Sequence, residues 1–180
     1  MEDEVKAIIA KILEGLLKSY EERERKAVQG RVGLELEEVG VDSPHGVYMY
    51  DPGKKVWRLI AVEGGPFKPR EDGIYVVYFD NTRCPACRIY DFAWYRFVEE
   101  ESRRGNPPRF VIVLCDWFAH ECRSDAAAAS FRWYRVHASP TTLFLYVKNG
   151  EVVEEERREG ALRLEELAAT YLLFKKRVSR

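Results

Sequence analysis

One four-residue motif, Cys84-Pro-Ala-Cys87, carries the clearest chemistry in the chain. It follows a short apolar run and opens a helical pattern, so both cysteines are expected in the first turn of a helix. The unpaired backbone N–H groups and the positive dipole end of a helix start favour a thiolate over a thiol. Pro85 suits this turn because its φ is preset and its missing N–H has no partner to lose. Arg83 and Arg88 add positive charge on either side, and the motif therefore predicts a redox-active dithiol.

Two further cysteines, Cys115 and Cys122, lie close together in the sequence after another apolar run. Their short spacing favours a disulfide that closes the loop between them. A second redox pair that passes electrons to the first is an alternative. A zinc site that combines the two pairs, or three of the cysteines with His120, is another. We expect a structural disulfide here and no metal.

The elements that position the motif are predicted to alternate between strands and helices. The run Ile74–Phe79 is rich in β-branched and aromatic residues, which predicts a buried strand, and the helical pattern after it extends through Val98. A second buried strand is expected at Phe110–Leu114. Because a helix connects the two strands, they should be parallel in a right-handed β-α-β unit. The remaining pattern predicts a helix at 123–135, a strand at Leu143–Val147, a turn at Asn149–Gly150, a strand at Val152–Arg157 and a helix at 162–175.

The N-terminal residues 3–28 show the pattern of one long amphipathic helix, with apolar residues at steps of three and four. The simplest expectation is that this apolar stripe packs on the protein's own sheet. The alternative is that the stripe forms a homodimer interface or docks a partner.

The segment between this helix and the core is predicted to be rich in β-structure. Val32–Val39 alternates apolar and acidic residues, as a half-exposed strand does. Val47–Tyr50 and Val56–Val62 flank a strong turn signal and predict a hairpin. We therefore divide the chain into an N-terminal extension, 1–66, packed on a core domain, 67–180.

Composition narrows the classes of function. The chain has 180 residues, 46% of them hydrophobic, and a net charge of −1. A near-neutral total argues against a surface for nucleic acid or an anionic membrane. Charged residues make up 33% of the chain, whereas amide residues are few, which is typical of thermophile proteins, and such organisms can keep disulfides inside the cell. With an acidic N-terminus and no long apolar run, we expect a cytoplasmic protein.

From Ile74 onward the chain resembles thioredoxin. The similarity rests on the order of elements, the C-x-x-C motif, and the segment Val136–Val152, in which Ser-Pro-Thr precedes a strand and Asn-Gly follows it. The resemblance implies a thioredoxin-like α/β fold with a central mixed sheet flanked by helices, here extended by the N-terminal helix and hairpin. It also implies that Cys84 is the nucleophile and Cys87 the resolving thiol.

The same resemblance implies a substrate site and an activity. Pro140 should be a cis-proline that faces the cysteines, and the backbone of Ser139 should pair with an extended peptide. Arg83 and Pro85, which flank Cys84, are expected to contact substrate as well. The implied activity is thiol–disulfide exchange with protein or small-molecule disulfides. The electrons would come from a reductase or dithiol donor, and no cofactor is expected. The alternative is a non-enzymatic interaction module whose cysteines form structural disulfides or a zinc site.

The departures from thioredoxin concern charge near the motif. Tyr78 stands where thioredoxins have a buried strand aspartate, so the usual proton-accepting carboxylate is expected to be missing; Asp80 either replaces it or serves as a turn residue. Arg83 stands where thioredoxins have tryptophan. Less negative and more positive charge near Cys84 would favour its thiolate and so stabilise the reduced dithiol. We therefore expect the Cys84–Cys87 pair to be more oxidising than that of thioredoxin. Burial of the thiol by Trp117 or Phe118 would act in the opposite direction.

Overall fold

A computed structural model describes residues 2–29 and 31–179, with the side chains of 6–20 and 22 inside the first helix. Within these residues, the first helix is followed by three strands, and from the fourth strand onward strands and helices alternate except that the sixth and seventh strands are consecutive. The elements are α1 (Glu2–Gln29), β1 (Glu35–Leu36), β2 (Gly46–Asp51), β3 (Val56–Ala61), β4 (Gly73–Asn81), α2 (Pro85–Ser102), β5 (Arg109–Cys115), α3 (Asp125–Trp133), β6 (Thr141–Lys148), β7 (Glu151–Glu159) and α4 (Leu164–Val178).

The described strands form one mixed sheet in the order β1-β3-β2-β5-β4-β6-β7. Strands β4 and β5 are parallel, as predicted, whereas β6 pairs antiparallel with β4 and β7 antiparallel with β6. The parallel register aligns Asn81 with Cys115, and the antiparallel register aligns Phe79 with Thr141. The ends of β4 and β5 and the start of β6 therefore meet at one edge, and the predicted thioredoxin-like α/β fold is confirmed.

Side-chain alternation along β4 explains the two layers that cover the sheet. Val76 and Tyr78 join the core on the face that α2 and α4 cover, whereas Val77 and Phe79 join the core beneath α3. The run is apolar on both faces because helices bury both faces. Helix α2 turns a stripe of aromatic and aliphatic residues toward its side of the sheet, spaced by three and four residues. Its large buried side chains are Tyr90, Trp94, Phe97 and Val98.

The predicted hairpin is present and belongs to the same sheet. Strands β2 and β3 pair with each other, and β2 also pairs antiparallel with β5. Asp51 holds the turn, because its Oδ1 accepts the backbone N–H groups of Gly53 and Lys54 at 3.0 and 3.1 Å. Gly46 permits the close approach of the two strands, since a Cβ there would lie 2.4 Å from Leu59 Cδ1. The division into residues 1–66 and 67–180 stays a prediction.

Two predictions about the N-terminal part are wrong. The strand expected at Val32–Val39 shrinks to two residues, because Gly33 at a φ of +93° turns the chain just before β1. The apolar stripe of α1 does not pack on the sheet: Ile12, Leu16 and Tyr20 are 56%, 62% and 65% exposed. No helix in the described part of the chain is long and apolar enough to cross a membrane.

Candidate functional site

The motif sits where β4 turns into α2. The turn is closed by the N–H of Thr82, which donates to the carbonyl of Cys115 at 2.9 Å, and by the N–H of Cys84, which donates to the carbonyl of Asn81 at 3.0 Å. Cys84 is the N-cap residue of α2, and Pro85 occupies the first turn. The parallel pairing of β4 and β5 thus delivers the first cysteine to a helix N-terminus at the carboxyl edge of the sheet.

Cys84 and Cys87 lie close together and are both buried free thiols, 4% and 0% exposed. The backbone N–H of Cys87 donates to Cys84 Sγ at 3.2 Å. The Cys84 thiol also reaches the carbonyl of Ser139 at 3.5 Å, and the Cys87 Sγ lies 3.0 Å from Ser139 Oγ. The Ser139–Pro140 peptide bond is cis. The structure therefore brings four of the predicted site residues into one cluster, and their individual roles stay predictions.

Asn81 is a site residue that the sequence reasoning missed. It is fully buried, and its Nδ2 donates to Ser139 Oγ at 2.7 Å while its Oδ1 accepts the backbone N–H of Phe118 at 2.6 Å. Asn81 therefore holds the serine that contacts both cysteines and anchors the loop after β5. A buried polar side chain at the end of an apolar strand, directly before the motif, is the signal that could have identified it.

Of the two alternatives for Asp80, a replacement carboxylate or a turn residue, the structure favours the buried carboxylate. Asp80 is 1% exposed and forms an ion pair with Arg88, which also lies 3.3 Å from Asp91. The hydroxyl of Tyr78 donates to Asp91 Oδ1 at 3.0 Å and points to the carbonyl of Cys87 at 3.4 Å. Asp80 is thus a buried group rather than a turn residue, and a second carboxylate, Asp91, shares its partner Arg88.

Burial sets the protonation of this cluster. Burial raises the pKa of the Cys87 thiol strongly, and the negative charge of Asp80 raises it further. Burial also raises the pKa of Asp80, although its ion pair with Arg88 opposes the rise. For Asp91, burial and then the charge of Asp80 raise the pKa from 3.8 to about 7. Cys87 is therefore a protonated thiol at neutral pH, beside a carboxylate with raised proton affinity.

Arg83 does not supply the free positive charge that the sequence predicted next to Cys84. Its side chain is 61% exposed, forms an ion pair with Glu121 and lies 3.9 Å from Asp116. Asp116 also accepts a hydrogen bond from Thr82 Oγ1 at 2.6 Å. Carboxylates pair with Arg83, and Asp80 and Asp91 lie beside Arg88, so the two arginines add less positive charge near Cys84 than their sequence positions suggested. The oxidising potential itself stays a prediction.

His45 is a buried residue that contacts Asp116, the carboxylate near Arg83. Its Nε2 lies 3.0 Å from Asp116 Oδ1, and its Nδ1 accepts the backbone N–H of Arg123 at 2.8 Å. Burial lowers the pKa of His45, which favours the neutral ring. The ring thus connects the residue before β2 to the loop after β5.

The loop after β5 is closed by a disulfide between Cys115 and Cys122. The backbone N–H of Asp116 donates to the carbonyl of Glu121 at 2.9 Å across the loop. Each zinc alternative needs at least one of these sulfurs as a thiolate, which the disulfide precludes, and among the described residues no group of three His, Cys, Asp or Glu side chains is placed to hold a metal. Formation of this disulfide in isolated protein stays a prediction.

Comparison with known proteins finds similarity at the level of fold. No protein-family model matches the sequence, and no curated protein matches it. The thioredoxin from Aeropyrum pernix is 18% identical over 74% of this chain and 98% of that chain, with a TM-score of 0.48. Chloroplastic thioredoxin z is 16% identical over 65% and 98%, with a TM-score of 0.43. Trichomonas vaginalis thioredoxin is 16% identical over 61% and 96%, with a TM-score of 0.45.

Proposed function

We propose that the protein is a thiol–disulfide oxidoreductase that acts on protein disulfides through Cys84 and Cys87. The observation that carries this proposal is the pair of buried free thiols at the N-terminus of α2, both in contact with Ser139 before the cis-proline. A helix N-terminus stabilises a thiolate, and the N–H of Cys87 already donates to Cys84 Sγ. These features together support Cys84 as the nucleophile.

The proposed reaction is two successive thiol–disulfide exchanges. The Cys84 thiolate attacks one sulfur of the substrate disulfide, forms a mixed disulfide and expels the other sulfur as a thiolate. Cys87 then loses its proton and attacks Cys84 Sγ, which releases the second substrate thiol. The substrate gains two electrons and the protein is left with a Cys84–Cys87 disulfide, which a dithiol donor must reduce.

The second exchange needs an acceptor for the Cys87 proton, and we assign this role to Asp80. The Asp80 carboxylate is buried, and its Oδ2 has no hydrogen-bond partner among the described residues. Burial raises the pKa of Cys87 and the charge of Asp80 raises it further, which supports a short path for the proton between the two groups. Transfer of the proton to Asp80 relieves that interaction in the same step that creates the attacking thiolate. Ion pairing to Arg88 holds the carboxylate in place between turnovers.

The direct test is catalysed reduction of insulin disulfides by dithiothreitol, followed by precipitation of the insulin chains. Wild-type protein should accelerate precipitation, and Cys84→Ser should abolish the acceleration. The matched control is the double variant Cys115→Ser with Cys122→Ser, which removes two sulfurs outside the proposed site and should keep the activity. Equal rates in wild type and Cys84→Ser would overturn the proposal.

Substrates and partners follow from the same proposal. Protein disulfides, and small-molecule disulfides with them, are the proposed oxidants, and a cellular dithiol or a reductase is the proposed donor. We propose the cytoplasm as the site of action.

We also propose a homodimer through α1, because Ile8, Ile12, Leu16 and Tyr20 on its stripe are all more than half exposed. Sedimentation equilibrium should show a dimer that Leu16→Glu dissociates and the control Lys11→Glu does not. A monomer at every concentration would refute the dimer.

A further inference from the structure

Between the loop after β5 and the residues that precede the cis-proline lies a cavity of about 390 Å³, here named the Phe118 cavity. Three segments enclose it: the disulfide-closed loop after β5, the end of α3, and the residues that lead into the cis-proline. Its lining is Phe118, Ala119, His120, Phe131, Arg132, Val136 and His137.

The cavity is tied to the candidate site by a short chain of hydrogen bonds. The backbone N–H of Phe118 donates to Asn81 Oδ1 at 2.6 Å, and Asn81 Nδ2 donates to Ser139 Oγ at 2.7 Å. Ser139 in turn contacts both sulfurs. One buried asparagine therefore fixes both the wall of the cavity and the serine before the cis-proline. A polypeptide that lies along Ser139 would pass the mouth of the cavity, because His137 is only two residues away.

The backbone of Phe118 adopts a conformation that bulky residues rarely adopt. Its φ is +51°, in the left-handed region. Such residues cluster at ligand clamps and active sites, where the surrounding structure holds them. Here the hydrogen bond to Asn81 and the disulfide-closed loop hold Phe118 with its ring edge-on to Phe131, with centroids 6.0 Å apart.

The chemistry of the lining defines the occupant. Phe118, Ala119, Phe131 and Val136 give an apolar floor, whereas His120, Arg132 and His137 are exposed donors at the rim. No carboxylate is part of the lining, and Arg132 makes no ion pair with any residue that the structure describes. An apolar side chain would fill the floor, and a carboxylate beside it would pair with the guanidinium of Arg132.

We propose that the Phe118 cavity is a specificity subsite that binds an apolar side chain with an adjacent carboxylate on the polypeptide whose disulfide reacts at Cys84. This inference rests on the proposed function and adds a substrate class to it. The carboxylate comes either from an acidic residue or from the end of the substrate chain.

The test uses acetylated, amidated peptides that carry one cysteine as a mixed disulfide with 5-thio-2-nitrobenzoate. The reduced protein attacks the peptide sulfur, and release of the coloured thiol gives the rate. Four series of peptides carry Phe-Glu, Phe-Gln, Ala-Glu or Ala-Gln, with the dipeptide at successive positions on both sides of the cysteine. One further pair ends in Phe, as the free acid or as the amide, and separates a chain-end carboxylate from a Glu side chain.

At the position relative to the cysteine where the reaction is fastest, the peptide with Phe-Glu should react about tenfold faster than the peptide with Ala-Gln. This is a typical discrimination for one pocket with one charge-assisted contact. Arg132→Glu should remove the preference for Glu over Gln, and Ala119→Trp, which fills the cavity, should remove the preference for Phe over Ala. The matched control Arg70→Glu makes the same charge change near the start of β4, at the opposite end of the sheet, and should keep both preferences.

Two outcomes distinguish this inference from the proposed function. If wild type reduces the small disulfide 5,5′-dithiobis(2-nitrobenzoate) through Cys84 but reacts equally with all peptides, the subsite is refuted and the proposed function stands. The subsite is also refuted if the preferences survive both Arg132→Glu and Ala119→Trp. If Cys84→Ser reduces every disulfide as fast as wild type, the proposed function and the subsite fall together.

Discussion

The half-buried carboxylate Asp91 allows a quantitative prediction about pH and stability. Its pKa is raised from 3.8 to about 7, so the folded state favours the protonated form. The folded protein is therefore most stable with respect to this group below about pH 4, where Asp91 is protonated in both states. That stability is lost as the pH rises through about 7, because Asp91 in the unfolded chain ionises already at about 3.9. Replacement of Asp91 by Asn removes the charge but leaves an oxygen that accepts the hydrogen bond from Tyr78.

The raised pKa sets the upper limit of the effect. A rise in the pKa of Asp91 by about three corresponds to a free energy of ~4 kcal/mol, because each pKa unit is worth ~1.4 kcal/mol. Asp91 keeps 18% side-chain exposure and shares its field with Asp80, so solvent and coupling reduce this figure. We expect Asp91→Asn to raise the free energy of unfolding by about 2 kcal/mol at pH 8 and to leave it nearly unchanged near pH 4.

Urea denaturation at both pH values measures this difference, with exposed Asp42→Asn as the matched control that changes neither value. The reasoning is refuted if Asp91→Asn destabilises the protein equally at both pH values. Such a result would mean that the carboxylate is needed for packing or for its ion pair with Arg88, and that it carries no unfavourable charge.

Two other predictions concern the thiols. Asp80→Asn should slow release of the mixed disulfide by about a hundredfold or more, since a positioned general base typically contributes ~10²–10⁴-fold. Stopped-flow kinetics that show slow formation of the mixed disulfide, with release unchanged, would contradict the role. Cys122→Ser should lower the free energy of unfolding by about 2 kcal/mol, because the disulfide spans a sequence separation of 7. Mass spectrometry should find Cys115 and Cys122 bonded in protein isolated without reductant, and two free thiols would refute that assignment.

The sequence predicted the elements whose pattern depends on local chemistry. The run Ile74–Phe79, the motif at the start of α2 and the second strand at Phe110–Leu114 lie within the observed β4, α2 and β5. Periodicity and chain connection alone determine that these strands are parallel and that the cysteines lie at their carboxyl edge. The hairpin turn at Asp51 was likewise recognisable from its residues.

The contacts that the sequence did not predict join residues on different elements, and most of them are long-range. Asp80 was ambiguous because the partner that neutralises it, Arg88, lies one helical turn into α2. Arg83 was expected to add charge, but Glu121, which neutralises it, comes from a loop 38 residues later. Asn81 meets Ser139 across a separation of 58 residues. Periodicity carries no information about such pairs, so site electrostatics required the tertiary structure.

Trapping of the mixed disulfide tests the central claim most directly. Cys87→Ser keeps the proposed nucleophile but lacks the thiol that resolves the intermediate, so incubation with oxidised insulin should give a covalent adduct. Peptide mapping by mass spectrometry should locate that adduct on Cys84, and Cys84→Ser should give none. Adducts in equal yield from both variants, or on Cys115 and Cys122 alone, would contradict the assignment of Cys84 as the nucleophile.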